Sequence, residues 1–414
     1  MKRNNFLVGM ILLIWFVISF VTNILGPLMP IIIQTYKLSL TMAAFLPFSF
    51  FLAYGIMSIP AGILIERIGE KKSILIAFSL NLAGSLAFAL QPTYVMALGS
   101  LFTIGIGMAM LQVIINPLMR IAGGEENFAF YSVMAQLVFG LASFISPFVF
   151  TGLLKALGPD QHSLLSSAFD HLIQNGLSWT IMYWLFSVIF ILMLLVIAMV
   201  KMPVVNLRDD EKAGTATTYL DLLKRREVWL FFLGIVAYVG TEQSIANWMS
   251  QFLSAYHHLD PGVEGASAVA WFWGLMTLGC LLGLGILKLW DSKSVLKVAC
   301  MLAIIAISYA LFGSKNVALW AFPIAGFTIS VLFSIVFSLA LNSIPKNHGS
   351  FSGILCSGIF GGALVPLIIG SLGDWFGLRY AMLFLYVTLG YILFLGYYAK
   401  PIVSNKTVDL RNFF

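Results

Sequence analysis

Gly62-Ile63-Leu64-Ile65-Glu66-Arg67-Ile68-Gly69-Glu70-Lys71 separates two long apolar runs. Its pattern recurs near the other end of the chain, in Gly370-Ser371-Leu372-Gly373-Asp374-Trp375-Phe376-Gly377-Leu378-Arg379. Both read glycine, an acid four residues on, glycine three after that, and a base two further. Glycine permits a tight turn and a close approach of helices. The acid can pair with a neighbouring base or a helix end. Two copies at the ends of corresponding apolar runs point to repeated three-helix units.

A membrane-crossing helix needs about 20 mostly apolar residues. Working outward from the motif, twelve stretches qualify, at about 7–33, 41–65, 73–91, 94–119, 128–153, 179–200, 228–256, 266–289, 294–312, 316–344, 351–373 and 380–399. The polar segment 201–226, with six basic residues and Asp209, Asp210 and Glu211, splits them six and six. The expected fold is all-α and integral to a membrane, with twelve transmembrane helices in two pseudo-symmetric six-helix bundles. Residues 1–200 form the first bundle, 201–226 a cytoplasmic linker, 227–400 the second bundle and 401–414 a cytoplasmic tail. The first run reads as a membrane helix, being too long for a signal-peptide core and lacking a small-residue cleavage site.

Of 414 residues, 60% are hydrophobic and 10% charged. Soluble domains carry about 25% charge, so this chain cannot cover a water-facing surface. A soluble enzyme, a nucleic-acid binder and a disordered chain are excluded. With the N-terminus inside, 19 of the 23 Lys and Arg residues fall on the cytoplasmic side; Lys37, Lys155, Lys315 and Arg379 fall outside. The expected location is a bacterial cytoplasmic (inner) membrane with both termini cytoplasmic. The net charge of +6 then faces the anionic inner leaflet of the lipid bilayer rather than nucleic acid. Cys280, Cys300 and Cys356 lie in apolar runs without metal-ligand spacing and read as buried thiols. His162, His171, His257 and His258 read as loop residues.

Twelve spans in two sixes, a basic central loop, and Gly62, Glu66, Arg67, Gly69 and Lys71 in the second-to-third loop resemble the major facilitator superfamily. Glu66 stands where that family usually has Asp. Within it, five stretches are similar to the fucose permease group of sugar:cation symporters. These are Ile59-Pro60-Ala61-Gly62-Ile63-Leu64, Asn116-Pro117 with Gly123-Gly124-Glu125-Glu126, Ala135-Gln136, Tyr238-Val239-Gly240-Thr241-Glu242, and Gly361-Gly362-Ala363-Leu364-Val365-Pro366. The resemblance implies an alternating-access carrier of sugars. It also marks departures. The group's proton-linked carboxylates align with the neutral amides Asn23 and Gln112, and further polar positions align with Val133, Phe139, Leu332 and the vicinity of Leu284.

Polar groups at membrane depth are costly unless satisfied or used. Glu242 is the one acid in mid-span. Three uses fit it: a protonatable carboxyl, a sodium ligand or a substrate acceptor; a structural acid bonded across helices is the alternative. Helical spacing places Tyr238, Thr241, Glu242 and Ile245 near one face. Gln243, Asn247 and Gln251 form a second polar stripe, so the seventh span is expected to border the cavity. Gln112 and Asn116 share a face of the fourth span, where Pro117 removes a helix hydrogen bond. Asn23 in the first span and Gln136 in the fifth complete the polar set. Trp248, Trp271 and Trp273 offer rings for stacking, and Trp248 joins the candidate binding residues. The glycines around Gly361 and Pro366 suit close packing of a moving helix.

No phosphate-binding loop, metal set or nucleophile–base pair is present in the sequence, so an enzyme, a cofactor and ATP drive are not expected. The expected function is a secondary active transporter, rocking two bundles around a midplane site. Its substrate is a small organic solute, first a sugar, with H⁺ or Na⁺ coupled through Glu242. A monomer suffices, because one chain holds the whole pathway. Uniport, carriage or export of a larger apolar compound (siderophore, metabolite or drug), and a membrane receptor or scaffold are the alternatives.

Overall fold

The structure is a computed structural model that describes residues 5–123, 128–156, 173, 177–200, 216–344 and 347–400. Among the described residues twelve helices are long and apolar enough to cross a membrane. They are α1 (Phe6–Tyr36), α2 (Leu40–Ile65), α3 (Glu70–Leu90), α4 (Tyr94–Ile115), α5 (Met134–Ala156), α6 (Ser178–Met199), α7 (Arg226–His257), α8 (Pro261–Leu289), α9 (Ser292–Phe312), α10 (Lys315–Leu341), α11 (Ser350–Phe376) and α12 (Leu378–Tyr398). All are helical because a bilayer offers no partner to backbone N–H and C=O groups, which must bond within the segment. A short linker helix, Ala216–Leu223, precedes α7. Residues 201–215, the tail 401–414 and both His162 and His171 lie outside the described residues.

Helices α1–α6 pack chiefly among themselves, as do α7–α12. The halves meet through α2 against α11, α5 against α8, and α1 against α7. Neighbouring helices and lipid are similarly apolar, so small residues decide where helices touch. At Gly107 in α4, a Cβ would stand 2.5 Å from the Ala77 carbonyl oxygen of α3. Large side chains instead cover the outer perimeter, as with Leu192 of α6 and Leu282 of α8, both more than half exposed.

Both copies of the repeated motif form the same turn. Gly69 has φ 81° and ψ 164°, and Gly377 has φ 82° and ψ 149°. This left-handed-side conformation suits glycine, which has no Cβ to clash. In the first copy the Lys71 ammonium donates to the carbonyl oxygens of Ala198 and Val200, each at 2.8 Å, capping the end of α6. Arg67 is exposed, Gly62 faces open space, and the Glu66 side chain lies outside the described set. In the second copy Arg379 sits 4.6 Å from the Tyr256 ring centre, and its backbone N–H donates to the Tyr256 hydroxyl at 3.1 Å. Because α2 begins beside the end of α11, the two copies occupy opposite ends of the molecule.

Contacts between the halves concentrate at one end. The Thr151 hydroxyl of α5 donates to the Gly262 carbonyl oxygen of α8 at 2.9 Å. Gly26 of α1 abuts the Ala246 carbonyl oxygen of α7, and Gly370 of α11 abuts Leu40 of α2. Toward the opposite end α2 still meets the first part of α11, 348–360. An apolar cleft of about 590 Å³ opens there between Ile59, Ile63, Tyr219, Leu223, Trp229 and Ile354. The molecule is closed at the end bearing Leu40, Gly262 and Asp374, and the apolar cleft lies toward the other.

Among the described residues two membrane helices are interrupted at depth by a non-helical turn, and α11 tightens to a 3-10 turn at Gly358–Phe360. Helix α1 breaks at Asn23–Ile24, between segments Asn5–Thr22 and Leu25–Tyr36. Pro27 has no N–H to offer the Asn23 carbonyl oxygen four residues earlier, which explains the break. Helix α10 breaks at Ser330–Val331, between Lys315–Ile329 and Leu332–Leu341. Pro117 does not break α4, whose helix runs on to Gly123.

Candidate functional site

Glu242 lies near the middle of α7, roughly 23 Å from either end at 1.5 Å per residue. One carboxylate oxygen, Oε2, accepts the Tyr238 hydroxyl at 2.6 Å. The other, Oε1, accepts the Gln243 side-chain amide at 3.1 Å. The Tyr238 bond follows from i, i+4 spacing on one helix face. Gln243 instead reaches sideways, so the two stripes expected on α7 join at the carboxylate. Among the described residues no Lys, Arg or His forms an ion pair with Glu242.

Surrounding groups come from four helices. The Tyr238 ring packs 5.6 Å from Phe333 of α10. Cys280 of α8 lies within electrostatic reach of the carboxylate. Its thiol donates at 3.3 Å to the carbonyl oxygen of Ser330, in the α10 break. A Cβ at Gly362 of α11 would stand 3.1 Å from Gln243 and 3.0 Å from Phe51 of α2. Gln243 therefore links the carboxylate to the contact between the halves.

A second polar cluster surrounds the contact of α1, α7 and α8. Gly26 is wedged between Ala246 and Val269. Within about one helical turn along the chain from those residues lie five buried polar atoms without a hydrogen-bond partner: Asn23 Oδ1, Ser244 Oγ, Asn247 Nδ2, Ser250 Oγ and Trp273 Nε1. The Asn23 amide nitrogen donates to Ser143 Oγ of α5 at 2.7 Å. Ser143 and Ser19 also share a hydrogen bond. This hydroxyl cluster fixes the Asn23 side chain while leaving its oxygen unused. Phe139 of α5 stands edge-on to Trp15, 5.9 Å between centroids, and to Trp273, 6.4 Å. Unpaired buried polar groups are rare because each carries a desolvation cost. One amide oxygen, two N–H donors, two hydroxyls that serve in either sense and a neighbouring wall of rings suit a neutral hydroxyl-rich ligand.

The structure thus brings Asn23 and Asn247 near one contact, and Tyr238, Glu242 and Gln243 into one hydrogen-bonded group. Trp248 stands apart. It is fully buried and its Nε1 donates to the Pro366 carbonyl oxygen of α11 at 3.2 Å. Thr241 faces α12 and shares a hydrogen bond with Thr388 at 2.6 Å. Gln112 is half-buried and Gln136 is exposed; the Asn116 side chain lies outside the described residues. Sequence reasoning passed over Ser143, Ser244 and the α10 break at Ser330. The signal for Ser143 was available only in part, because a serine in an apolar run more often bonds its own helix. No group of three or more His, Cys, Asp or Glu side chains among the described residues is arranged to hold a metal.

Comparison with known proteins gives this architecture a family. The Major Facilitator Superfamily profile matches residues 11–358. A glucose/galactose transporter of Brucella abortus is 31% identical over 95% of this chain and 94% of its own length. The L-fucose-proton symporter of Escherichia coli is 24% identical, covering 87% of this chain and 85% of that one. The crystal structure of the transporter FucP in its outward conformation superposes with a TM-score of 0.68 at 22% identity, covering 95% of this chain and 98% of that one. A bacterial homologue of the lysosomal transporter Spinster gives 0.72 at 17% identity, covering 95% and 97%.

Proposed function

The chain belongs to the major facilitator superfamily, and from that premise we propose that it moves a neutral hexose-class sugar by alternating access, coupled to a cation through Glu242. The observation that carries the sugar is the set of unpaired neutral groups on Asn23, Ser244, Asn247 and Trp273. A sugar offers hydroxyls that donate and accept at short intervals, and a ring face that stacks on aromatic side chains. The relatives named for glucose, galactose and fucose support the same class.

The coupling step rests on the hydrogen bonds of Glu242. As an anion it accepts from Tyr238 and Gln243 together. Protonation at Oε1 turns that oxygen into a donor and displaces the Gln243 amide N–H, whereas at Oε2 the Tyr238 hydroxyl can turn and accept. Sodium ligation instead draws both oxygens toward the metal. Protonation at Oε1, or sodium ligation, frees Gln243, which touches α11 beside Phe51 of α2. Loading the carboxyl thereby changes the contact between the halves, as a coupled carrier requires.

Lys and Arg crowd the end bearing the cleft and the linker, which we take as the cytoplasmic face. The closed end is then extracellular and the conformation inward-facing. We assign the chain to a bacterial cytoplasmic membrane, working as a monomer with no cofactor. The division into 1–200, 201–226 and 227–400 follows the same reading.

The test is binding and uptake on purified, reconstituted protein. D-glucose, D-galactose and L-fucose are each titrated with and without sodium and across pH. Saturable, stereospecific binding and accumulation driven by one ion gradient support the proposal. Binding confined to amphipathic compounds, with no sugar response, rejects it.

A further inference from the structure

We propose that Asp374 is a positioning residue of the transport cycle: a latch that holds the closed end shut by capping the N-terminus of α2 from the opposite half. Its Oδ1 accepts the Leu40 backbone N–H at 2.7 Å, and its Oδ2 accepts the Thr41 N–H at 2.9 Å. Ser39 Oγ accepts the next one, from Met42, at 3.2 Å. The first N–H groups of a helix have no intrahelical acceptor and carry the positive end of its dipole. Helix α2 has no acidic residue in its own first turn. The carboxylate serving it lies 334 positions along the chain from Leu40.

The flanking residues fit this role. At Gly370, one turn before Asp374, a Cβ would stand 2.7 Å from the Leu40 carbonyl oxygen and 2.8 Å from Ala44. At Gly373 it would stand 2.8 Å from a Leu40 methyl. Both positions must be small for the carboxylate to reach the helix end. Arg379, the motif's base, is engaged by the Tyr256 and Phe252 rings and forms no ion pair with Asp374 among the described residues. The helix end therefore takes the place of a cation. Parting α2 from α11 here breaks both bonds at once, so the latch sets how often this end opens.

The proposal rests on alternating access but on neither the sugar nor the ion, and its test uses neither. Spin labels replace Leu90 and Phe312, exposed residues ending α3 and α9 at the closed end, with the three native cysteines changed to serine. Electron–electron distances are measured in liposomes for the parent, Asp374→Asn and Leu40→Pro. Proline is tolerated at the first helical position, and Ser39 already has the extended φ −70°, ψ 164° that a following proline demands. Leu40→Pro thus deletes one latch donor without breaking the helix, and decides the question should Asp374→Asn fail to fold. The expected result is a rise in the long-distance population of about tenfold for Asp374→Asn, equivalent to about 1.4 kcal/mol, with a smaller rise for Leu40→Pro. Folded variants whose distance distributions superpose on the parent overturn the latch.

Discussion

Tyr238 donates its hydroxyl to Glu242 at 2.6 Å, within a single helix and at mid-membrane depth. The pair is local in sequence, yet it belongs to a larger arrangement. Gln243 occupies the second carboxylate oxygen, and Phe333, Cys280 and Gly362 bring α10, α8 and α11 around the group. An ionisable group without a basic partner at this depth is retained at a cost, which is reasonable where the group is used.

Replacing Glu242 by Gln tests that use. Glutamine keeps the length and one acceptor for Tyr238 but can be neither protonated nor anionic. Ion-driven accumulation of sugar is expected to disappear, while exchange of labelled for unlabelled sugar across liposomes persists. Concentrative uptake that keeps its ion dependence removes Glu242 from the coupling site.

Asn247→Ala and Trp273→Phe test the binding cluster separately from the carboxyl. Each deletes an N–H that has no protein partner, so neither strips a hydrogen bond from the folded chain. A lost neutral ligand bond is worth about 0.5–1.5 kcal/mol. Sugar affinity is expected to fall about 2- to 12-fold in each variant, and the cavity left at these buried positions is expected to lower the melting temperature of the sugar-free protein as well. Titration calorimetry reads the first and a thermal melt the second. Unchanged affinity in both variants places the sugar elsewhere.

The fold was legible because a bilayer imposes few rules and each leaves a mark on sequence. Apolar run length gives the twelve helices, and the repeated glycine–acid–glycine–base pattern gives matching turns at Gly69 and Gly377. The site was legible only in kind. Amides and one acid at depth were visible, and Tyr238 and Glu242 meet as helical spacing requires. Which polar atoms stay unpaired depends on neighbours distant in sequence. Asn23 lends its amide to Ser143, 120 positions away, and keeps its oxygen. Trp248 was expected to face substrate, but its N–H is spent on Pro366 in α11. Periodicity places a side chain on a face and does not say which helix that face meets.

Lys71 gives a prediction about stability alone. Its ammonium caps two carbonyl oxygens at the end of α6, Ala198 and Val200. Those carbonyls lie at the negative end of a helix, where a cation is favourable. Lys71→Met keeps the aliphatic stem and removes the donors, and is expected to lower stability by about 1 kcal/mol. Lys71→Arg should recover part of the loss. A melt of purified protein reads both, and a Met variant as stable as the parent would show the cap to be dispensable.

Gly26 gives the sharpest steric prediction. A Cβ there would collide with the Ala246 carbonyl oxygen and press on Val269 at 3.5 Å. The obstacle is backbone, so no rotamer change relieves it, and α1 must withdraw from α7. Gly26→Val is therefore expected to prevent closure of this end. The consequence for transport is asymmetric. A carrier that cannot close one end still binds sugar from that side but cannot pass it on, so uptake falls below about a hundredth of the parent's while the protein stays folded. The same variant should show the long spin-label distances at Leu90 and Phe312 that the parent rarely visits. Ala at the same position, adding only the Cβ, should lie between the two. Wild-type uptake by Gly26→Val would mean that α1 and α7 need not meet here during the cycle.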